Sequence, residues 1–448
     1  MVPLTPNPSP PAGRGENSMR DIFRHGFDEF RQFINPLIAQ RADLSGEPYR
    51  AMATADGQLV LANGSVIEDL HGTQAFGHRN PAITAAVKAF LDSDAPSWFP
   101  ARVNPFAGRL ARRLAERSGY TSVFFASSGS EAVEASLKLA RAVTRKPRIL
   151  SLDGAYHGCT FGSCALMSRG IFRDPFEPHL PGVEAIPFGD IAALHRAFVE
   201  GSIAAVVVEP IQVEGGVRPL PTDYRDVMLE LADRHGALVI ADEVQTGMGR
   251  TGRFLASSTW PRRPDAVLLC KHLGGGLAPI SAMLTRMELF QQAYGSSFDM
   301  AEAHNSTFSG NALVSVAALA ALDLLSDDLI ADVGRKGTAF RAELSAALAD
   351  LPLFAEVRGD GLVVGIALHA LEHPWLSFEH FGLPGLTDRP TTGLLLCHRL
   401  YRRGYFCFVC GHQWSVLRLQ PRFNIAEGQL SAFVQACREE LAFLCELA

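Results

Sequence analysis

Two apolar runs, Ile203-Ala-Ala-Val-Val-Val-Glu209 and Ala237-Leu-Val-Ile-Ala-Asp242, enclose the segment Thr222–His235. Each run is apolar at consecutive positions, so both faces of the strand must be covered. The enclosed segment carries Thr222 and Asp223 at its start and Gly236 just past its end, which is how a helix is punctuated. Strand, helix and strand in this order make a parallel crossover unit and point to an α/β fold. The runs Ser122–Ala126, Arg148–Asp153 and Ala266–Cys270 repeat the pattern, with helices expected at Ala82–Leu91 and Pro105–Arg117. Residues 77–330 therefore read as a large domain, a mostly parallel sheet flanked by helices.

Beyond 330 the order changes. A helix is expected over Lys336–Asp350, strand-like segments at Val357–Leu368, Tyr405–Val409 and Val416–Gln420, and helices at Thr391–Arg402 and Glu427–Leu447. Residues 331–448 read as a smaller α+β domain, which 19–76 is expected to join. Within 19–76, Gly57–Gly64 reads as a hairpin or edge strands. The Pro-rich stretch 1–18 has too few apolar side chains to offset its ordering entropy and is expected to be a disordered tail. Met19 is a possible natural start.

Apolar residues make up 47% of the 448 and charged ones 20%, as in globular proteins and unlike disordered ones. The formal net charge of −6 offers no electrostatic footprint for nucleic acid or an anionic membrane. No apolar run is long enough to span a bilayer, and no secretory leader pattern is seen. Eight cysteines are too few for a disulfide scaffold. Reduced thiols in a cytoplasmic protein are the expectation.

Chemistry is then sought at the strand ends, where open α/β sheets bind ligands. Only five of the 41 basic residues are lysines, and one of them, Lys271, ends the run Ala266–Cys270 ahead of Gly274-Gly-Gly276. Burial lowers a lysine pKa and frees an amine for Schiff-base chemistry, although a lysine at such a place can also reach out to solvent. The other four, at 88, 138, 146 and 336, lie in contexts that read as exposed. Asp242 and Glu209 end two neighbouring strands. Ser128 and Glu131 have capping-box spacing, and Glu134 and Lys138 that of an i,i+4 pair. Ser127-Ser-Gly-Ser130, ahead of a helix, could offer backbone N–H groups to a phosphate.

Two patterns count for less. Gly247-Met-Gly-Arg-Thr-Gly252 matches a dinucleotide fingerprint, but Pro261 stops the segment that would have to be its helix. Cys407-Phe-Val-Cys410, near His398 and His412, lacks the second cysteine pair of a zinc site, and no metal is expected.

Taken together, several segments resemble the class III, or omega, aminotransferases, pyridoxal-phosphate (PLP) enzymes of fold type I. They are Ser128–Arg141, Tyr156-His-Gly158, Val208-Glu-Pro-Ile-Gln-Val-Glu-Gly-Gly216, Ala241–Gly252, Pro264-Asp265, Lys271 with its glycines, His304-Asn-Ser-Thr-Phe-Ser-Gly-Asn311 and Leu417-Arg-Leu-Gln-Pro421. They run in family order through most of the chain.

The resemblance implies that Lys271 is the Schiff-base lysine and Asp242 the partner of the cofactor's ring nitrogen. It puts Ser128, Gly129 and Ser130 at the phosphate, Tyr156 on the ring with His157 beside it, Gln245 near the ring hydroxyl and Glu209 in the same site. Thr307 would reach the phosphate of a neighbouring subunit, which implies a homodimer with shared sites. Arg418 would grip a substrate carboxylate, and Glu214 would neutralise it when none is present. Val213, His272, Asn305, Ala312 and Arg422 depart from the family pattern and were expected to border the substrate.

The activity implied is ping-pong transfer of an amino group between an omega-amine, diamine or amino acid and a keto acid or aldehyde. Glutamate with 2-oxoglutarate, or pyruvate, is the expected partner. A racemase or aminomutase of the same fold is the alternative, and a nucleotide-binding oxidoreductase a more distant one.

Overall fold

The computed structural model describes residues 19–45, 51–100, 103–373, 375–381 and 389–447. The tail expected at 1–18 lies outside them.

A seven-stranded sheet forms the centre. Its order is Ser122–Ala126, Ser281–Thr285, Ala266–Leu269, Leu238–Asp242, Ile203–Val208, Arg148–Leu152 and Val183–Ile186. All strands run parallel except Ser281–Thr285, which is antiparallel to both neighbours. The five strands expected from the sequence are all present, and they end at one rim. The helix Thr222–His235 closes on Gly236 in the left-handed conformation, φ 59°, with the Ala237 N–H reaching back to the Ala232 carbonyl at 2.9 Å.

Two strands escaped the sequence reading. Val183–Ile186 is a short, half-buried edge strand. Ser281–Thr285 hides its polar ends: the Ser281 hydroxyl donates to the Ser128 carbonyl at 2.7 Å and the Thr285 hydroxyl to the Asp265 carbonyl at 2.8 Å. Satisfied in this way, hydroxyls can lie in a core strand.

The C-terminal part builds an antiparallel sheet in the order Phe354–Asp360, Val363–Leu368, Val416–Leu419 and Phe408–Val409. The single strand expected over Val357–Leu368 is a hairpin, turned at Gly361 with φ 51°. Tyr405–Val409 also divides. Tyr405–Phe406 pairs in parallel with Glu68 and Asp69, while Phe408–Val409 pairs with Leu417 and Arg418. The strands Ala51–Ala55, Gln58–Leu61 and Val66–Asp69 thus share a sheet with a C-terminal strand.

The helix expected from Lys336 begins at Asp327 and runs to Leu348, capped by the Ser326 hydroxyl. Within this helix Gly337 has to be small. A Cβ on Gly337 would lie 2.0 Å from the Gly361 carbonyl oxygen, and Gly334 packs on Gly252. Lys336, read as exposed, is buried. Its ammonium donates to the Phe423 and Ile425 carbonyls at 2.8 and 3.0 Å and pairs with Asp332 at 2.7 Å. No described helix is long and apolar enough to cross a membrane.

Candidate active site

Five loops leave the rim of the sheet, and they bring the expected residues together. Gly129, Ser130, Tyr156, His157, Glu209, Asp242, Gln245 and Lys271 line one cavity of about 620 Å³, including its open mouth. A larger space lies against the N-terminal helices, away from these groups.

Lys271 lies two residues past the end of strand Ala266–Leu269. Burial pulls its pKa down to about 8, and the charge of Arg250 acts the same way against Cys270, Asp242 and Glu209. Asp242 ends the adjacent strand. One of its carboxylate oxygens lies 2.7 Å from His157 Nδ1, and the other accepts the Val244 N–H at 3.1 Å. Burial works to lower the His157 pKa, but the hydrogen bond to Asp242 and the charges of Asp242 and Glu209 prevail, and the pKa rises. Glu209 accepts the Tyr156 N–H at 3.0 Å, and burial pushes its carboxyl up to about 7.

The helix Gly129–Thr144 starts at the cavity wall. Ser128 caps it by accepting the Glu131 N–H at 3.2 Å, so this hydroxyl is committed to the cap. The Glu131 carboxylate accepts from Ser127, one residue before the expected partner. Ser130 Oγ accepts the Cys159 N–H at 3.1 Å and ties the Tyr156–Cys159 loop to the helix start. Gly158 has to be glycine there: its φ is 119°, and a Cβ would meet Ser130 Oγ at 2.1 Å. The Glu134–Lys138 pair does not form. Glu134 accepts from Gly162 and Ser163, and Lys138 reaches the Ala303 carbonyl and His304.

Arg418 and Glu214 form a buried ion pair in direct contact. Glu214 also accepts the Gly411 N–H at 2.8 Å and the Gln245 amide at 3.3 Å. The other terminal nitrogen of Arg418 meets His71 Nε2 at 2.7 Å. Burial first, and Arg418 second, hold the His71 pKa down at about 3, so a neutral ring receives the guanidinium proton. No sequence signal marked His71, a lone histidine two residues past a short strand.

Thr307 is exposed and lies apart from Lys271, in a small cleft with Trp98, Phe99 and Asn104. Four of the five departures from the family pattern are buried in packing or ion-pair contacts. Arg422 makes a two-pronged buried pair with Glu68, at 2.9 and 3.2 Å. Val213 packs with Val217 and Val363. His272 is buried against Phe423. Ala312 is buried at the start of its helix. Asn305 is exposed and donates to the Glu302 carbonyl.

The Gly247–Gly252 segment opens no helix. Arg250 within it is fully buried, donates to the Pro421 and Gly72 carbonyls and lies 4.6 Å over the Phe423 ring. The eight cysteines are free, and the described residues hold no cluster of His, Cys, Asp and Glu suited to a metal.

The donor set fits pyridoxal phosphate. Lys271 offers an amine to an aldehyde, Asp242 a fixed carboxylate to a ring nitrogen, and Gly129 and Ser130 a helix N-terminus to a phosphate. His157 Nε2 and Gln245 Oε1 are buried polar atoms without a protein partner, as expected where a polar group is to be received.

Comparison with known proteins agrees. The family profile for aminotransferase class-III matches residues 49–441. Aminotransferase PigE of Serratia sp. (strain ATCC 39006) is 32% identical over 93% of this chain. The match takes in 54% of PigE, so the chain spans about half the length of that relative. Among solved structures, the ornithine aminotransferase of Toxoplasma gondii ME49 superposes with a TM-score of 0.79 at 26% identity, over 96% of each chain. A PLP-bound amine transaminase from an uncultivated Pseudomonas species gives 0.75 at 26% identity, over 89% of this chain and 97% of its own. With the match running from 49 to 441 and the PLP-fitting residues gathered in one cavity, the chain belongs to the class III aminotransferases, a PLP-dependent family.

Proposed function

We propose that the protein moves an amino group between a primary amine and a keto acid, in two half-reactions at the Lys271 cavity. The observation that carries this reading is the enclosure of Lys271, its pKa drawn down to about 8, with Asp242 and His157 in one cavity. When bound, PLP supplies an aldehyde carbon to receive the amino group and a ring that withdraws an electron pair. Lys271 Nζ, neutral above about pH 8, would be the base that takes the proton from the substrate carbon bearing nitrogen and delivers it to the carbon that the cofactor's aldehyde supplies. Asp242, held by His157 and the Val244 N–H, would keep a proton on the ring nitrogen. Gly129 and Ser130 would hold the phosphate and Tyr156 would cover the ring, with Gln245 and Glu209 completing the walls.

The two half-reactions need one site to accept different side chains. With Arg418 paired to Glu214, the site suits an omega-amine or diamine. A glutamate or 2-oxoglutarate carboxylate would take Glu214's place in a two-pronged grip on Arg418. Thr307, distant from Lys271 in its own chain, serves the phosphate of a second copy in a homodimer. Free thiols support a cytoplasmic setting.

Incubating the PLP-loaded protein with a panel of amines and either 2-oxoglutarate or pyruvate should yield glutamate or alanine. Inversion of an amino acid's configuration with no acceptor consumed would replace this reading with a racemase. No change in any amine would remove it.

A further inference from the structure

A second cavity, about 770 Å³ including its mouth, adjoins the first. Arg169, Arg218 and Arg389 line it, and Asp153 is the one carboxylate residue in its lining. Phe172 and His412 separate it from the Lys271 cavity. Both rings pack against Tyr156, at 5.6 and 6.4 Å between centroids, and Tyr156 lines the Lys271 cavity. The two spaces therefore share an aromatic wall.

Among the described residues, none of these three arginines makes an ion pair with a carboxylate, and only the more distant negative charges of Glu209 and Asp153 act on Arg218. Arg218 lies 4.2 Å over the Phe188 ring and donates from Nη2 to the Asp153 carbonyl at 2.7 Å and to the Gln212 amide oxygen at 2.6 Å. Both acceptors are uncharged. Arg218 Nε is buried without a partner, and so are Arg358 Nε and His412 Nε2. Burial lowers the Arg218 pKa, and the positive charge of Arg358 adds to the effect against the charges of Glu209 and Asp153; Arg358 is itself paired with Glu356. Arg389 lies 5.3 Å over Trp414. Like charges held together with unmet donors are costly unless an anion joins them. Arg418 also has a buried Nε without a partner, but its terminal nitrogens are taken by Glu214 and His71. By contrast, the guanidinium groups of the outer cavity have no carboxylate in ion-pair contact among the described residues.

We infer that the outer cavity seats an anionic group, carboxylate or phosphate, at the far end of the amine substrate. The substrate class is then a primary amine whose chain passes the Tyr156–Phe172–His412 wall and ends in an acid. This inference rests on the aminotransferase reading and deepens it.

The test uses the PLP-loaded protein, with hexylamine set against 6-aminohexanoate and 6-aminohexyl phosphate. The quantity read is the ratio of kcat/KM for the tailed amine to that for hexylamine. Charge-assisted hydrogen bonds of this kind are each worth about tenfold to a hundredfold. Arg389→Ala, and the double variant with Arg169→Ala, should lower the ratio by about that much, and Arg218→Gln should do so as a second, independent variant. A ratio unchanged in all three overturns the inference. Inorganic phosphate should compete with the tailed amines more strongly than with hexylamine. Equal, non-competitive inhibition of both would mark a free-anion site and overturn the assignment to substrate. If no amine is turned over, the aminotransferase reading fails on its own. Calorimetric titration with 6-aminohexanoate then still decides: binding weakened about tenfold or more by Arg389→Ala supports the anion seat, and no difference from the parent removes it.

Discussion

A lysine amine is nucleophilic only when unprotonated, and the depressed pKa of Lys271 follows from its place just past a fully buried strand. The sign of the pH effect is fixed by this. Below about pH 8 the amine is charged and inert, and above it the amine is free to react. Capture of PLP by the apoprotein should speed up as pH rises through about 8 and then level off. Stopped-flow absorbance would measure it, and a rate rising only near the ordinary lysine range would contradict the burial argument. Arg418→Ala should raise KM for 2-oxoglutarate by about tenfold or more, and KM for an amine much less, because only the dicarboxylate needs the guanidinium. Equal changes in steady-state kinetics would remove the exchange with Glu214. Lys271, Asp242 and the helix start at Gly129 stood out in the sequence because each follows a strand or opens a helix, whereas Glu214 was pointed to only by the family resemblance. His71 was marked by neither. It meets Arg418 across 347 positions, a contact made by the pairing of Tyr405–Phe406 with the Val66–Asp69 strand. The Ser128–Glu131 spacing was legible as a cap, and the Ser128 hydroxyl does accept the Glu131 N–H.

At the scale of elements, five of the six parallel strands of the central sheet were readable because burial on both faces writes consecutive apolar residues, and the half-buried edge strand Val183–Ile186 was not. The antiparallel strand Ser281–Thr285 was not, because its polar ends are satisfied only by tertiary contacts. In the helix Asp327–Leu348, Gly337 is likewise explained only by a tertiary contact, its closeness to the Gly361 turn. Gly337→Ala would drive a methyl into backbone and should cost about 1–3 kcal/mol. Thermal or denaturant unfolding should show the loss while the secondary structure of the folded state is kept. An unchanged midpoint would mean that the helix and hairpin lie farther apart than described.

Over the whole molecule, buried charges tie distant parts of the chain. Arg422 joins Glu68, Arg250 reaches carbonyls at 72 and 421, and Lys336 holds the carbonyls at 423 and 425. None of these ties shows in sequence periodicity, and two of them had been given other readings. Large apolar side chains at Phe33, Ile34 and Leu37 near the N-terminus, and at Phe308 beside Thr307, are exposed in the single chain. A homodimer is the expected state. Sedimentation should give about twice the mass of one chain, and Thr307→Ala should weaken PLP retention although that residue is remote from Lys271 in its own chain. A monomer that retains PLP equally well with and without Thr307 would contradict the shared site. The central claim is a covalent one, and trapping tests it most directly. The PLP-loaded protein is reduced with borohydride, digested and mapped by mass spectrometry. The account predicts a single stable pyridoxyl adduct on Lys271; an adduct on Lys88, Lys138, Lys146 or Lys336 in its place, or none at all, would contradict it.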